Sequence, residues 1–233
     1  MSPTDSKSLL QATKPNNQRE QAYGSFTQHL LARNLYPGQF ISQRELVELT
    51  GLGLGAIREL IPRLETEGLI KTIPKRGMQI AHVDLNLIRD AFEFRLCIET
   101  EAAARFALDA TSDEIAQIRA QHQAIIEQCQ EPAASIDAPA DFIAQAQAVD
   151  WGFHTTVVDA LGNRIISDAY RVNMIKIRLI KQEQTQLRPS VLLPTMLEHM
   201  DVIDAMETRN SEQATALMRK HIIGARNRAL EKR

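Results

Sequence analysis

The chain has 233 residues, 44% of them hydrophobic and 24% charged, with a formal net charge of −2. That suffices for two ordinary domains, whereas no apolar run approaches the roughly 18 residues of a membrane span and the polar start MSPTDSKSLLQATKPNNQRE lacks the apolar core of a secretion signal. Cys97 and Cys129, with no CxxC, argue against a disulfide framework or a cysteine metal site, so a cytoplasmic protein with no membrane partner is expected.

Charge is placed unevenly: residues 1–84 carry +2 and residues 85–233 carry −4. The first part is therefore permitted, though not compelled, to bind nucleic acid. Residues 1–18 read as a mobile tail. A helix follows over Gln18–Arg33, with Ala22, Phe26 and Leu30 on one face, and stops before Tyr36-Pro37-Gly38. The next helix starts at Ser42, because Ser42-Gln43-Arg44-Glu45 is a capping box and Ile41 is placed to staple onto Leu46. A third runs from Gly53 to Glu67, with Ile57, Leu60, Ile61 and Leu64 inward, Pro62 weakening its last turns and Gly68 ending it. Leu69–Ile73 and Met78–Val83, joined by Pro74-Lys75-Arg76-Gly77, form a hairpin with a basic tip. Residues 19–83 thus have the order of a winged helix-turn-helix.

The stretch LYPGQFISQRELVELTGLGLGAIRELIPRLETEGLIKTIPKRGMQI resembles the DNA-binding domain of the GntR transcription regulators, with Pro37-Gly38, Glu45-Leu46, Gly51, Ile57-Arg58-Glu59, Leu64-Glu65, Glu67-Gly68-Leu69 and Arg76-Gly77 in register. The resemblance implies that Arg44, Arg58 and the wing pair Arg76 and Gly77, with Lys75 beside them, touch double-stranded operator DNA. An arginine fork suits phosphate or guanine, and a wing glycine lets backbone approach the minor groove. The alternative for each arginine is an ordinary solvated surface charge. The pattern departs at Gly53, Leu54 and Gly55, where the family usually has Ser, Arg and Thr. Leu54 is suited to a thymine methyl, and the two glycines bare helix-terminal amides to phosphate.

From residue 84 onward the pattern is helical, in six segments at about 85–108, 112–130, 139–161, 163–187, 191–208 and 211–231. An antiparallel bundle of six helices able to enclose a cavity is expected, making the protein mostly α. Asp150 and His154, four apart, leave one face of one helix. His199 and His221 lie in two later helices. Three imidazole nitrogens and a carboxylate oxygen suit zinc, nickel, manganese or iron with positions left open, although each residue alone also fits a surface or core role. Trp151, Phe153 and Phe94 read as core.

The strings FEFRLCIETEAAARFA, VDWGFHTTVVDALGN and LEHMDVIDAMETRNSEQATALMRKHI resemble the FadR-type (FCD) effector domain, and six helices resemble its VanR-like subgroup. The resemblance implies a metal site of an Asp and a His four apart plus two later His, matched by Asp150, His154, His199 and His221. It further implies one divalent transition metal per chain, zinc first and nickel, manganese or iron as alternatives, and a small organic acid-type effector. Arg95, at the FEFR position, either pairs with an effector carboxylate or with Glu99 one turn on. Asn173 either lines the cavity or satisfies a buried backbone group. The function implied is a homodimeric repressor on a pseudo-palindromic operator, modulated by the effector. A metal-dependent hydrolase and a sensor of the ion itself are the rivals.

Overall fold

The computed structural model describes residues 15–130, 140–184 and 189–231. These divide into two compact units, one up to His82 and one from Val83. Most of the expected tail, and the loop around residues 131–139, lie outside the described residues.

In the first unit, α1 (Pro15–Leu31) begins inside the segment read as tail. Its Ala22, Phe26 and Leu30, each four residues apart, are fully buried. α2 (Gln43–Thr50) opens with the capping box: Ser42 Oγ accepts from the Glu45 amide at 3.2 Å and Glu45 Oε2 from the Ser42 amide at 2.7 Å. Gly51, at φ 67°, closes it. α3 (Leu54–Thr66) buries Ile57, Leu60, Ile61 and Leu64 and runs through Pro62 before Gly68, at φ 68°, ends the excursion. A two-residue strand, β1 (Phe40–Ile41), joins the hairpin β2 (Ile70–Ile73) and β3 (Gly77–Ile80) in the order β1-β3-β2. β1 leaves no mark in the sequence pattern, since two residues are too few for an alternation to show.

Gly77 is fixed by this sheet. Its φ is 88°, and a Cβ there would sit 3.0 Å from the carbonyl oxygen of Ile41 in β1. Gly77→Ala is expected to destabilise the first unit by about 1–2 kcal/mol from the left-handed backbone alone, read as an earlier unfolding transition by circular dichroism. An unchanged transition would show that the sheet tolerates the methyl and that the glycine serves only the wing's outer face.

The second unit is a bundle of α4 (Leu85–Asp109), α5 (Ser112–Gln130), α6 (Ala140–Asp159), α7 (Arg164–Gln184), α8 (Pro189–Glu207) and α9 (Ser211–Leu230). Asp84 caps α4 through Leu87 N at 2.7 Å, Thr111 and Glu114 exchange hydrogen bonds at the start of α5, and Asn210 caps α9 through Gln213 N. α4 packs against α6, α7, α8 and α9, and α5 against α6 and α8. Ala102, Ala103 and Ala107 of α4 and Ala214 of α9 are buried, and such small side chains permit close helix approach. Apolar layers such as Ile125, Phe142, Ala146, Leu192 and Met196 form part of this core. Its middle holds instead a buried polar group: Arg95, Glu99, His122, Asp150, His154, His199 and His221. Among the described residues no helix is long and apolar enough to cross a membrane.

Candidate metal centre

Three helices supply the candidate ligands of the polar centre. Asp150 and His154 come from α6, one turn apart, His199 from α8 and His221 from α9, and their exposures are 0%, 1%, 0% and 4%. Ligand atoms of the three histidines all lie within 4.8 Å of one another. Nε2 of His199 is 3.2 Å from Nε2 of His221 and 3.7 Å from Oδ1 of Asp150. That Asp150 oxygen is buried and has no hydrogen-bond partner.

The other edge of each side chain faces a partner, although Nδ1 of His154 makes no hydrogen bond. Oδ2 of Asp150 accepts from Lys181 Nζ at 2.7 Å. Nδ1 of His221 is 2.7 Å from Oε2 of Glu198, which also receives Arg228. Nδ1 of His199 is 3.1 Å from Nε2 of His122. Nδ1 of His154 is 2.8 Å from Oε2 of Glu99, whose carboxylate also takes the Arg95 guanidinium and the Tyr170 hydroxyl, the latter at 2.8 Å. A carboxylate accepts only, so Nδ1 of His221 carries a proton and its Nε2 presents a lone pair. The Nε2 atoms of His199 and His221 thus meet at 3.2 Å beside an unpartnered carboxylate oxygen, an arrangement that suits a cation. The donor set fits a divalent transition ion. Nε2 of His154 accepts from Arg95 at 3.1 Å, so there the guanidinium competes for the same lone pair.

Burial holds all three imidazoles neutral. It pushes His199 well below the ordinary value and His221 down to about 4, and it lowers His154 against the pull of Glu99. Burial alone would raise Asp150, but the Lys181 ammonium and His154 outweigh it and hold the carboxyl at about 2. Glu99 is likewise kept ionised against burial, chiefly by Arg95. Neutral imidazole and ionised carboxylate are the forms that ligate metals.

Arg95 and Asn173 are placed differently from an open effector contact. Arg95 is 1% exposed and bound to Glu99 and His154. Asn173 donates to the carbonyl of Ala91 at 3.1 Å. A cavity does open beside His221, lined by Phe92, Thr195, Lys181 and Arg228 among others. Sequence reading missed His122, Lys181 and Glu198. His122 carried a signal, as a polar residue in the apolar stripe Ile115, Ile118, Ile125 of α5.

In the first unit the start of α3 is open. Leu54 is 42% exposed, and a Cβ at Gly53 or Gly55 would meet nothing within 4 Å. Exposed Arg44 and Arg58 rest on exposed Glu48 and Gln43, at 3.2 and 3.4 Å, contacts weak enough for an anion to displace. Lys75 takes φ 63° at the wing tip, and the Arg76 guanidinium lies 4.1 Å from the Phe40 ring centroid.

The family model of the FCD domain matches residues 90–224, and that of bacterial regulatory proteins of the gntR family matches residues 18–80. The Nta operon transcriptional regulator of Aminobacter aminovorans is 24% identical over 80% of this chain and 82% of its own. The HTH-type transcriptional repressor GlaR of Escherichia coli K12 is 24% identical over 83% of this chain and 87% of its own. Among solved structures, McbR/YncC of E. coli superposes with a TM-score of 0.72 over 92% of this chain and 97% of that one at 14% identity, a likeness of fold.

Proposed function

The chain belongs to the gntR family of bacterial regulatory proteins and carries an FCD domain, and from that premise we propose that it is a repressor that binds a pseudo-palindromic operator as a homodimer and is modulated by a small organic acid bound beside a metal. That it is a transcription regulator rather than an enzyme follows from the family. The hydrolytic alternative is set aside on chemical grounds too. Around the cluster Glu99, Glu198 and Lys181 are committed to ion pairs, and no uncommitted general base is evident among these groups. A sensor of the ion alone is not favoured either.

The observation that carries the reading is the convergence of the orphaned Asp150 oxygen with the facing Nε2 atoms of His199 and His221. Asp150, His154, His199 and His221 would hold one divalent transition ion, zinc foremost and nickel, manganese or iron as alternatives. Bound there, the ion supplies a Lewis-acidic positive charge for an effector carboxylate or hydroxyl. The cavity's Lys181 and Arg228, each already paired with a carboxylate, and Thr195 line it with hydrogen-bonding groups beside the proposed ion, whose charge would favour an anionic molecule. Arg95 contributes by holding Glu99 rather than by meeting the effector, and Asn173 by fixing α7 to α4.

On DNA, Arg44, Arg58, Lys75 and Arg76 supply charge. Gly53, Leu54 and Gly55 supply bare amides and an apolar contact at the head of α3, and Gly77 sets the wing. Arg58→Ala is expected to weaken binding to a DNA fragment selected from a random pool by about 1–3 kcal/mol. If Arg44 meets phosphate alone, Arg44→Ala lowers the salt slope by about 1 without changing sequence preference. Fluorescence anisotropy across a salt series reads both. The central test is to titrate candidate organic acids with and without that fragment: coupling is reciprocal, so identical acid affinities in the two states would overturn effector control.

A further inference from the structure

We infer that His122 is a positioning residue that sets the tautomer of His199 and so decides which of its nitrogens is free to ligate. The inference rests on the proposed metal site. The chain of donors can be read from its far end. Nδ1 of His122 is 2.8 Å from the carbonyl oxygen of Ile118, its neighbour one turn earlier in α5. A carbonyl only accepts, so this nitrogen carries the proton. In the neutral ring Nε2 of His122 is then an acceptor, and it lies 3.1 Å from Nδ1 of His199, which must donate. The remaining nitrogen of His199, Nε2, is left with a lone pair aimed between Nε2 of His221 and Oδ1 of Asp150.

His122 is fully buried, and Phe153 meets its ring edge-on, with centroids 5.3 Å apart. The ring has no room to be a surface residue and no contact with the Asp150 oxygen. It sits behind His199 as Glu99 and Glu198 sit behind His154 and His221, with one chemical difference. Those two supports are carboxylates, which fix the tautomer by charge. His122 fixes it through a relay that starts at a backbone carbonyl. Without the relay, His199 has an alternative that satisfies it inside the cluster: moving its proton to Nε2 and donating to Nε2 of His221, 3.2 Å away. That form leaves the His199 lone pair on Nδ1, on the His122 side, and ties up the Nε2 lone pair of His221.

The test uses the full chain, 15N-labelled at histidine and stripped with chelator, then zinc added alone. Two-bond nitrogen–proton couplings in the metal-free protein are expected to show His199 protonated at Nδ1. The Nε2–H form in that protein would overturn the inference without any variant. In His122→Leu the proton is expected to move to Nε2 of His199, and zinc affinity in a competition titration to fall by about 10- to 100-fold. His122→Gln, which can still accept from His199, is expected to keep the Nδ1–H form and most of the affinity. A packing role alone would lower stability in both variants and leave the tautomer in place, which refutes the relay. If wild-type protein binds no zinc, the metal reading fails, while the tautomer measurement still decides the role of His122.

Discussion

Glu99→Ala is expected to destabilise the helical unit by about 3–5 kcal/mol, because it strands the Arg95 guanidinium in a site where both side chains are 1% exposed or less. The carboxylate is bound by Arg95 through both oxygens, by the Tyr170 hydroxyl and by His154. Removing it leaves a buried charge, an unpaired phenol and an unsupported imidazole together. For a unit of this size such a loss corresponds to a melting-point drop of roughly 10 °C, measured on chelated protein at neutral pH so that metal loss does not contribute. The double replacement Arg95→Met with Glu99→Leu removes both charges and should recover most of that stability. It should not recover metal binding, since His154 would lose the carboxylate beside its Nδ1. A Glu99→Ala variant as stable as the parent would mean that the pair contributes nothing to the fold and that Arg95 finds water or another partner.

This pair also shows where the sequence was legible. Arg95 and Glu99 lie one turn apart in a helix, so their pairing was open to reading, but a surface pair and a buried one share the same spacing. Burial depends on α6, α7 and α9 closing over α4, which no local pattern states. The four proposed ligands were legible for the same local reason in part: Asp150 and His154 share a helical face, and two later histidines complete a familiar donor set. Their supports were not legible, because His122, Lys181 and Glu198 act across helix pairs, at separations of 77, 31 and 23 residues from their partners. In the first unit, capping residues and helix ends were written into Ser42, Glu45, Gly51 and Gly68, each of which acts on its own neighbours. The strand β1 was hidden because its pairing with β3 is non-local and only two residues long. The same contact explains Gly77, which sequence reading assigned to DNA approach and which the fold already requires.

Acid should unfold the metal-free helical unit well before it affects an ordinary bundle. His221 titrates near 4 in the folded chain against an ordinary 6.5, and His199 and His154 are shifted in the same direction by burial. Between those values the unfolded chain binds more protons than the folded one, so stability rises with pH there and falls as pH drops below 6.5. A shift of the size seen at His221 amounts to about 3 kcal/mol once pH reaches 4, at 1.36 kcal/mol per unit. Below that, Asp150 and Glu198 add to the loss. Their carboxyls are held at about 2, so the stability they contribute is present above their ordinary values and disappears as pH falls from about 4 toward 2. Denaturant midpoints on chelated protein should therefore decline steadily from pH 6.5 to 4. Added zinc should raise the midpoint at neutral pH and lose its effect on acidification, as protons compete for the imidazoles. A flat profile for the chelated protein across this range would mean that the three histidines charge freely when folded, which requires water to reach a cluster whose side chains are buried to within 4%.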